Sequence, residues 1–449
     1  MPEGQGSFFV YDGCRADRPQ KGAGLEDLVD RKSVRPNGTR EFVASPWAIL
    51  PVLILAAMIL SIGIGHDYRL KHEDNNALHA AFGRAHVGAG LGVTKGHDAY
   101  VNRKNGRVHF YAHHPPGCGL VLGGVFAVTG SSSPPVVRGV AISATLATLV
   151  LLWWIVRREA GPRPALVSAL AFAVLPQAAF YGRMVNHEVL VLPFIVLLVD
   201  RYFAFARGGS MRTMIGMTFA ATAGALFSWA IFFTLAACAV HAVISVRRRD
   251  AYPAAGQALA LVLSLGAVLF AIDLAHIAWV KGGDLSDLAA IFSSRVGADQ
   301  LYGPFEWAHK MLGFSRRLAT ASGTIALIWL AVRTVRALLG KSPLRPLEEF
   351  TAVFLGGGLG YLIVFNWGAW QHHYWQFPLL PAVAVALALA VTAIAENARE
   401  GRRRMACRVL LGLIILEVMT ASTAALYKRH TTPEDRVIQA VESLQSRFL

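Results

Sequence analysis

The sequence has few charged residues and few cysteines, and each shortage excludes a class of protein. Only 16% of its 449 residues are Asp, Glu, Lys or Arg, against about 25% in soluble domains. The cysteines Cys14, Cys118, Cys238 and Cys407 are far apart and show no ligand spacing. The sequence therefore predicts neither a disulfide framework nor a thiolate metal site.

Long apolar runs dominate what is present. Hydrophobic residues make up 54% of the chain, which places it in the membrane class. The formal net charge is +15, but Lys and Arg fall in short clusters between apolar runs, as in the cytosolic loops of multi-pass membrane proteins. This distribution indicates membrane topology and not a nucleic-acid partner.

The apolar runs predict an all-α polytopic bundle of about eleven transmembrane helices, because about 20 apolar residues cross a bilayer. Every dense arginine cluster then lies on one side, as the positive-inside rule requires. The long run 213–246 is split near Ser228-Trp229 because Arg247 must be cytosolic. The predicted spans are 46–65, 138–156, 164–180, 188–205, 213–228, 229–246, 254–280, 320–339, 350–366, 378–395 and 409–427.

The spans divide the chain into three regions. Residues 1–45 are predicted to be a cytosolic leader, since the first apolar run begins too late for a cleavable signal peptide. Residues 46–427 form the transmembrane domain, with a first outer loop at 66–137 and a later outer loop at 281–317. Residues 428–449 are predicted to be a short outer amphipathic tail.

The first outer loop is a long polar segment between apolar runs. Apolar residues recur at helical spacing from Asn75 to Ala85, which predicts an amphipathic helix lying along the outer surface. A second helix is predicted at 117–129, directly after Pro115-Pro116. That helix is too short to cross the membrane.

Two groups in this loop are candidates for chemistry. Glu73-Asp74 opens the first surface helix, where a helix-capping role and a carboxylate kept ionised by the helix terminus are both open readings. His113-His114 precedes the Pro-Pro pair. These histidines are either polar loop residues or, together with the two carboxylates, ligands for a divalent ion.

Further candidates share the outer face. His187-Glu188 follows a tight turn at the membrane boundary, where a charged residue is costly without a partner or a function. Asp273 and His276 are one helical turn apart and either satisfy each other or belong to the site. The remaining candidates for phosphate or headgroup contact are Lys95, Arg183, Arg295, Arg316, His372, His373 and Tyr374.

The order of these motifs resembles the polyprenyl-phosphate-sugar-dependent glycosyltransferases of the GT-C superfamily. Within it, the pattern is most similar to protein O-mannosyltransferases and the lipid A aminoarabinose transferase. The resemblance covers 46–427 and is most specific in 73–116, 181–188 and 372–381. It implies a GT-C-type bundle with surface helices in the first outer loop.

The activity that this resemblance implies is inverting transfer of a sugar from a polyprenyl-phosphate donor to an acceptor hydroxyl at the outer membrane face. The acceptor would be a glycolipid, a cell-envelope glycan or a protein. A first-loop carboxylate would act as base. The resemblance implies membrane lipids as partners, a divalent metal ion as cofactor, no nucleotide cofactor and no nucleic acid.

The resemblance also implies roles for single residues. The first-loop carboxylate maps to Asp74 with Glu73 adjacent, and a second acidic position maps to Glu188. Counting back from Arg84 by the family's usual interval instead puts Asn75 at the acidic position, so the base stays open between Glu73 and Asp74.

The resemblance implies ligands for the metal and the donor as well. The family's cation-binding position before the Pro-Pro pair maps to His113, and a later histidine maps to His276. The donor phosphate candidates are Lys95, Arg183, Arg295 and Arg316.

A polytopic transporter or flippase of lipid-linked sugars is the rival interpretation. Gly356-Gly357-Gly358 within one span is its best support, although close helix packing explains these glycines too. The polar residues concentrate in outer loops, whereas transporters often show internal repeats and broken helices at mid-membrane. The composition and the short tail predict a bacterial inner membrane protein with a periplasmic active site.

Overall fold

The computed structural model describes residues 43, 45–102, 105–248, 251–297, 302–397, 403–431 and 433–448. From Val43 onward the chain forms one compact unit. The predicted leader lies almost entirely outside the described residues. A short 3₁₀ turn over Pro46–Ile49 follows and leads directly into a helix.

Helices make up nearly all of the described chain, and the short strands pair as an antiparallel hairpin. Up to residue 133 the elements are α1 Leu50–Ser61, α2 Asp74–Ala89, α3 Leu91–Thr94, β1 Ala99–Val101, β2 Val108–Phe110 and α4 Gly117–Thr129. The helices that follow are α5 Pro134–Ala160, α6 Pro162–Val174, α7 Pro176–Tyr181, α8 His187–Gly208, α9 Met211–Ala225, α10 Ala230–Arg248, α11 Ala255–Val280, α12 Ser286–Arg295, α13 Pro304–Leu318, α14 Thr320–Leu338, α15 Pro346–Val364, α16 Asn366–Gln371, α17 Leu380–Asn397, α18 Arg403–Thr431 and α19 Asp435–Phe448. A 3₁₀ turn, His373–Leu379, leads into α17.

Eight of the described helices are long and apolar enough to cross a membrane: α5, α8, α10, α11, α14, α15, α17 with its leading turn, and α18. The predicted all-α membrane fold is confirmed, but the count of eleven spans is not. The other three predicted spans, 46–65, 164–180 and 213–228, contain the shorter helices α1, α6 and α9. Helix α6 stops early because Leu175, which precedes Pro176, adopts an extended conformation with ψ 138°.

The arginine-rich helix ends lie together. Arg157 near the end of α5 donates to the carbonyl of Ser45 at 2.8 Å, and Arg158 pairs with Asp200 of α8 at 2.6 Å. The end of α5 therefore meets the start of the first apolar run and the end of α8, as the predicted topology requires.

Helix α2 corrects the prediction of an amphipathic helix on the surface. Its polar residues Asn76 and His79 are 0% and 2% exposed, because His79 faces α4 and α8 and Asn76 accepts a hydrogen bond from the backbone just before α8. Gly83 permits this packing, since a Cβ there would lie 2.7 Å from the Phe126 ring and 2.8 Å from Leu122. The polar face of α2 is thus an interior surface.

The C-terminal helix α19 packs on α2, and the predicted tail helix is present. Val437 and Val441 form a small cluster with Ala77 and Tyr68. The backbone N–H of Glu434 donates to the carbonyl of Arg69 at 2.9 Å. The first outer loop and the tail therefore lie on the same side of the bundle.

Candidate active site in the first outer loop

Glu73 is tied into the structure of the loop by four donors. Its Oε1 accepts hydrogen bonds from Arg138 at 2.9 Å and Arg183 at 3.2 Å. Its Oε2 accepts from the backbone N–H groups of Arg69 and Leu70, both at 3.2 Å. Glu73 is 5% exposed, so its carboxylate has no free acceptor position facing a substrate.

The two arginines extend this anchor to the preceding backbone. Arg138 donates to the carbonyls of Ile64 at 2.7 Å and His66 at 2.5 Å. Arg183 donates to the carbonyl of Ile62 at 2.5 Å. One buried carboxylate and two buried guanidiniums therefore hold the segment that leads from α1 to α2.

Asp74, the first residue of α2, is only half-buried. Burial raises the pKa of its carboxyl, the backbone N–H groups of Asp74 and Asn75 oppose that rise, and the carboxylate of Glu434 adds to it. His72 precedes the anchor with a φ of 64°, a left-handed conformation that is uncommon for a non-glycine residue. Of the two acidic residues, Asp74 is the one left accessible.

Aromatic side chains surround the entrance to α2. The ring of His72 lies 5.8 Å from His372, 5.1 Å from His373 and 5.1 Å from Tyr374, between ring centroids. The Tyr181 hydroxyl hydrogen-bonds Nδ1 of His373. The predicted His-His-Tyr motif therefore meets the first outer loop beside the Glu73-Asp74 pair.

A cavity of about 590 Å³ lies next to this cluster. His113, His114 and Arg295 line it on the polar side. The Arg295 guanidinium lies over the Trp375 ring, 5.4 Å from its centroid. The rest of the lining is mainly apolar and comes from α10, α11, α12 and α15: Phe232, Phe233, Phe270, Leu274, Leu288, Phe292, Tyr361, Val364 and Phe365.

Contacts with Trp229 and His187 hold the two cavity histidines in place. The indole N–H of Trp229 donates to the carbonyl of His113 at 3.0 Å, and the ring of His114 stacks on His187 with 4.0 Å between centroids. Burial lowers the pKa of both His113 and His114, and the positive charge of Arg295 lowers it further. These imidazoles are therefore neutral near pH 7.

Glu188 lies in the first turn of α8 and is 1% exposed. The Tyr361 hydroxyl donates to its Oε1 at 2.8 Å, and Tyr361 also lines the cavity. Asn186 caps α8, its Oδ1 accepting from the backbone N–H of Val189 at 2.8 Å. The predicted second acidic residue is thus behind the cavity wall, joined to it through Tyr361.

Several predicted site residues have other partners. Lys95 donates to the carbonyls of Trp279 at 3.2 Å and Val280 at 3.1 Å, where it caps the end of α11. His276 contacts the Lys95 carbonyl through Nε2 at 3.0 Å. Arg183 belongs to the Glu73 anchor, and Arg316 is exposed near the end of α13. Of the four predicted phosphate ligands, only Arg295 lines the cavity described above.

A separate cluster of side chains that could bind a metal ion lies next to the cavity, in contact with His114. His79 of α2, Cys118 of α4 and His187 of α8 each place a donor atom within 4.8 Å of the others, and all three side chains are buried. Asp98 is 0% exposed, and its Oδ2 lies 3.8 Å from Nδ1 of His79. The predicted metal ligands His113 and His276 are not in this cluster.

Sequence reasoning missed Tyr361, Trp375, His72, Asp98 and Cys118. Tyr361 and Trp375 lie in or beside apolar runs, where an aromatic residue carries no functional signal. Cys118 shows no ligand spacing, because no second cysteine is near it in sequence. Asp98 follows Gly96-His97 in a loop, and its burial depends on α4 folding over it.

The comparisons with known proteins agree with this architecture. Residues 113–272 match the family model described as dolichyl-phosphate-mannose-protein mannosyltransferase. That segment includes His113, His114, Glu188 and Phe270. No curated protein sequence matches the chain.

Solved structures match over most of the chain at low sequence identity. ArnT from Cupriavidus metallidurans bound to undecaprenyl phosphate has a TM-score of 0.56 at 12% identity, over 88% of this chain and 74% of ArnT. The oligosaccharyltransferase AglB from Archaeoglobus fulgidus, in complex with an inhibitory peptide and a dolichol-phosphate, has a TM-score of 0.52 at 13% identity, over 88% of this chain and 56% of AglB.

The chain is a multi-pass membrane protein, and its fold is similar to those of ArnT and AglB. The resemblance drawn from the motifs is thereby confirmed. Within that class, the match of 113–272 is to the protein mannosyltransferase model.

Proposed function

We propose that this protein is a glycosyltransferase that takes a sugar from a polyprenyl-phosphate donor and passes it to an acceptor hydroxyl. The observation that carries the proposal is the cavity that combines an apolar lining with Arg295, His113 and His114 on its polar side. A lipid phosphate has the same division, because its chain is apolar and its head is anionic. The undecaprenyl phosphate of ArnT and the dolichol-phosphate of AglB support this choice of ligand.

In the proposed donor site, Arg295 binds the phosphate. Its planar fork of N–H donors suits a phosphate better than an ammonium group does. Trp375 holds the guanidinium in place from one face. His113 and His114, which are neutral, contribute N–H donors to the phosphate oxygens without adding charge.

Asp74 is the proposed base. The acceptor hydroxyl attacks the anomeric carbon, Asp74 takes its proton, and the bond to the phosphate oxygen breaks so that polyprenyl phosphate leaves. A single displacement of this kind inverts the anomeric carbon. General base catalysis contributes about 10²–10⁴ in rate, while Arg295 stabilises the charge that develops on the leaving phosphate.

Glu73 and Glu188 have supporting roles in this proposal. Glu73 fixes the backbone before Asp74 through its bonds to Arg138 and Arg183. Glu188 orients Tyr361 at the cavity wall. Arg183 and Lys95 are structural, and Arg316 lies outside the donor site.

The proposed location of the site is the periplasmic side of a bacterial inner membrane, with the N-terminus in the cytosol. The arginine-rich helix ends at Arg157 and Arg207 support this orientation through the positive-inside rule. The site is at the opposite ends of the same helices, near the start of α8.

The test is transfer of labelled sugar from polyprenyl-phosphate donors in membranes that contain equal amounts of folded wild type or Asp74→Asn. We expect wild-type membranes to move label from the lipid extract into an acceptor fraction. Asp74→Asn is expected to lower that rate by about 10²–10⁴ while donor binding is kept. If the wild-type protein moves the donor between leaflets and never releases polyprenyl phosphate, the proposal is wrong and the protein is a flippase.

A further inference from the structure

The buried cluster of His79, Cys118 and His187 is not used by the proposed transfer reaction. The three residues come from three helices, and their ligand atoms lie within 4.8 Å of one another. We propose that they bind a divalent metal ion of the zinc type in a closed structural site, which joins α2, α4 and α8 and takes the Asp98 carboxylate as its fourth ligand. The proposal does not depend on the sugar, the acceptor or the transfer reaction.

The distances are close to those of a metal site. Tetrahedral zinc has metal–nitrogen distances of about 2.0 Å and metal–sulfur distances of about 2.3 Å, so its donor atoms are roughly 3.3–3.8 Å apart. Nδ1 of His79 and Oδ2 of Asp98, which both lack a hydrogen-bond partner among the residues that the structure describes, are 3.8 Å apart. A bound ion would draw the most distant donors together by about 1 Å.

The tautomer of His187 leaves one ring nitrogen free to bind a metal ion. Its Nδ1 lies 2.7 Å from the carbonyl of Phe227, so Nδ1 carries the proton and Nε2 carries the lone pair. Metal-binding histidines usually donate their other ring N–H to a carbonyl or carboxylate in this way. The ring of His114, stacked at 4.0 Å, fixes the plane of the His187 imidazole.

The buried polar atoms that have no hydrogen-bond partner also point to a ligand. Within the described residues, these include His79 Nδ1, Asp98 Oδ2 and His187 Nε2. Leaving a buried polar atom without a partner costs about 1–3 kcal/mol, and native proteins rarely tolerate several in one place. A bound cation would engage the two imidazole lone pairs and attract the carboxylate oxygen.

The charges balance around such an ion. A divalent cation bound to the Cys118 thiolate keeps one positive charge, which the Asp98 carboxylate neutralises. Asp98 is fixed by the backbone N–H of Gly119, which donates to its Oδ1 at 3.0 Å. Gly119 cannot carry a side chain, since a Cβ there would lie 2.2 Å from the same oxygen.

The donor types select the metal. Thiolate and imidazole ligands suit zinc, whereas calcium and magnesium take oxygen ligands. With no redox chemistry of its own, zinc would serve to fix geometry. It would hold the start of α4, directly after His113 and His114, against the start of α8, which carries Glu188.

The first experiment measures metal content in the full-length protein purified in detergent without added chelator. We expect about one zinc per chain in the wild type and a loss of most of it in Cys118→Ser and His79→Ala, because each removes a direct ligand. Cys238→Ser is the matched control, since Cys238 is equally buried but lies in α10, outside the cluster. His113→Ala and His276→Ala test the alternative site that the sequence predicted.

The first two readouts of a second experiment need only the wild-type protein. Wild-type protein stripped with a strong chelator and reloaded with Co²⁺ is expected to show a thiolate-to-cobalt charge-transfer band in the near ultraviolet. Reloading is also expected to raise the apparent Tm that stripping lowered. The band should be absent from Cys118→Ser and present in Cys238→Ser.

Three outcomes would overturn the proposal. Wild-type protein that carries no metal and shows no thiolate band after cobalt loading has no such site. Metal that is lost in His113→Ala and His276→Ala but kept in Cys118→Ser belongs to the other pair of histidines. Metal content that is equal in wild type and Cys118→Ser, and is removed by brief dialysis, is an adventitious ion only.

Discussion

Replacing Glu73 by glutamine separates the structural carboxylate from the proposed base. Glutamine has the same shape, but its amide has one acceptor oxygen and one NH₂ group. All four contacts of Glu73 are donors: two arginine side chains on Oε1 and two backbone N–H groups on Oε2. Whichever way the amide is turned, its NH₂ group faces two donors.

The loss of stability in Glu73→Gln is expected to be large, because the arginines that contact Glu73 are buried charges. Arg138 is 0% exposed and Arg183 is 2% exposed, and neither has another carboxylate among its described salt bridges. Removing one partner of a buried ion pair costs about 3–5 kcal/mol. Glu73→Gln is therefore expected to lower the apparent Tm by roughly 6–10 °C, at about 2 °C per kcal/mol, which is the lower end of the range for domains of 150–250 residues.

The assay is thermal unfolding of the purified protein in detergent, followed by tryptophan fluorescence at one scan rate, since membrane proteins often unfold irreversibly. Asp74→Asn is the matched control. It removes a half-buried charge from a helix start, which is worth about 0.3–1 kcal/mol, so its Tm should stay near that of the wild type while transfer is lost.

Two results would refute this reasoning. Glu73→Gln with a wild-type Tm and no transfer activity would make Glu73 the base. Asp74→Asn with a Tm as low as that of Glu73→Gln would place Asp74 in the structural anchor.

Three further predictions concern single side chains. Arg295→Ala is expected to weaken binding of a polyprenyl phosphate by roughly 10- to 100-fold, since a charged hydrogen bond is worth about 1.5–3 kcal/mol. Titration of the protein with the lipid checks this. The control is Arg316→Ala, which changes an exposed arginine of the same outer region and should bind the lipid as the wild type does. Tyr361→Phe leaves the Glu188 carboxyl without its donor and should cost about 1–3 kcal/mol; an apparent Tm equal to that of exposed Tyr427→Phe would contradict it. Glu434→Gln should lower the pKa of Asp74 and move the acid limb of the pH–rate profile to lower pH, because a base works only when ionised; Glu442→Gln, exposed on α19, should leave the profile unchanged.

The sequence predicts those parts of the fold that depend on local signals. The Pro-Pro pair at 115–116 marks the start of α4, and the break near Ser228 lies between α9 and α10. A proline at a helix start and an apolar run each act within a few residues. These features can therefore be found without knowing what packs against them.

The site depends on contacts between residues far apart in the sequence, which a local sequence pattern does not predict. Arg138 begins a predicted span, but it is 0% exposed because Glu73, far away in sequence, neutralises it. His79 shares a cluster with Cys118 and His187 only after α2, α4 and α8 have packed. Asn76 is on a polar helix face that becomes interior when its Oδ1 accepts from the backbone N–H of Val185 at 2.7 Å.

The contact between α2 and α19 limits the number of membrane crossings. The two helices touch through Ala77, Val437 and Val441, so they lie on one side of the membrane and the chain between them must cross an even number of times. The eight candidate spans all lie between them, as do the shorter helices α6 and α9. An even total requires α6 and α9 to cross together or not at all. We expect cysteine labelling of the loops at 161 and 209 to find both on the cytosolic side. A label at either loop that reacts only from the outside would rule out that topology.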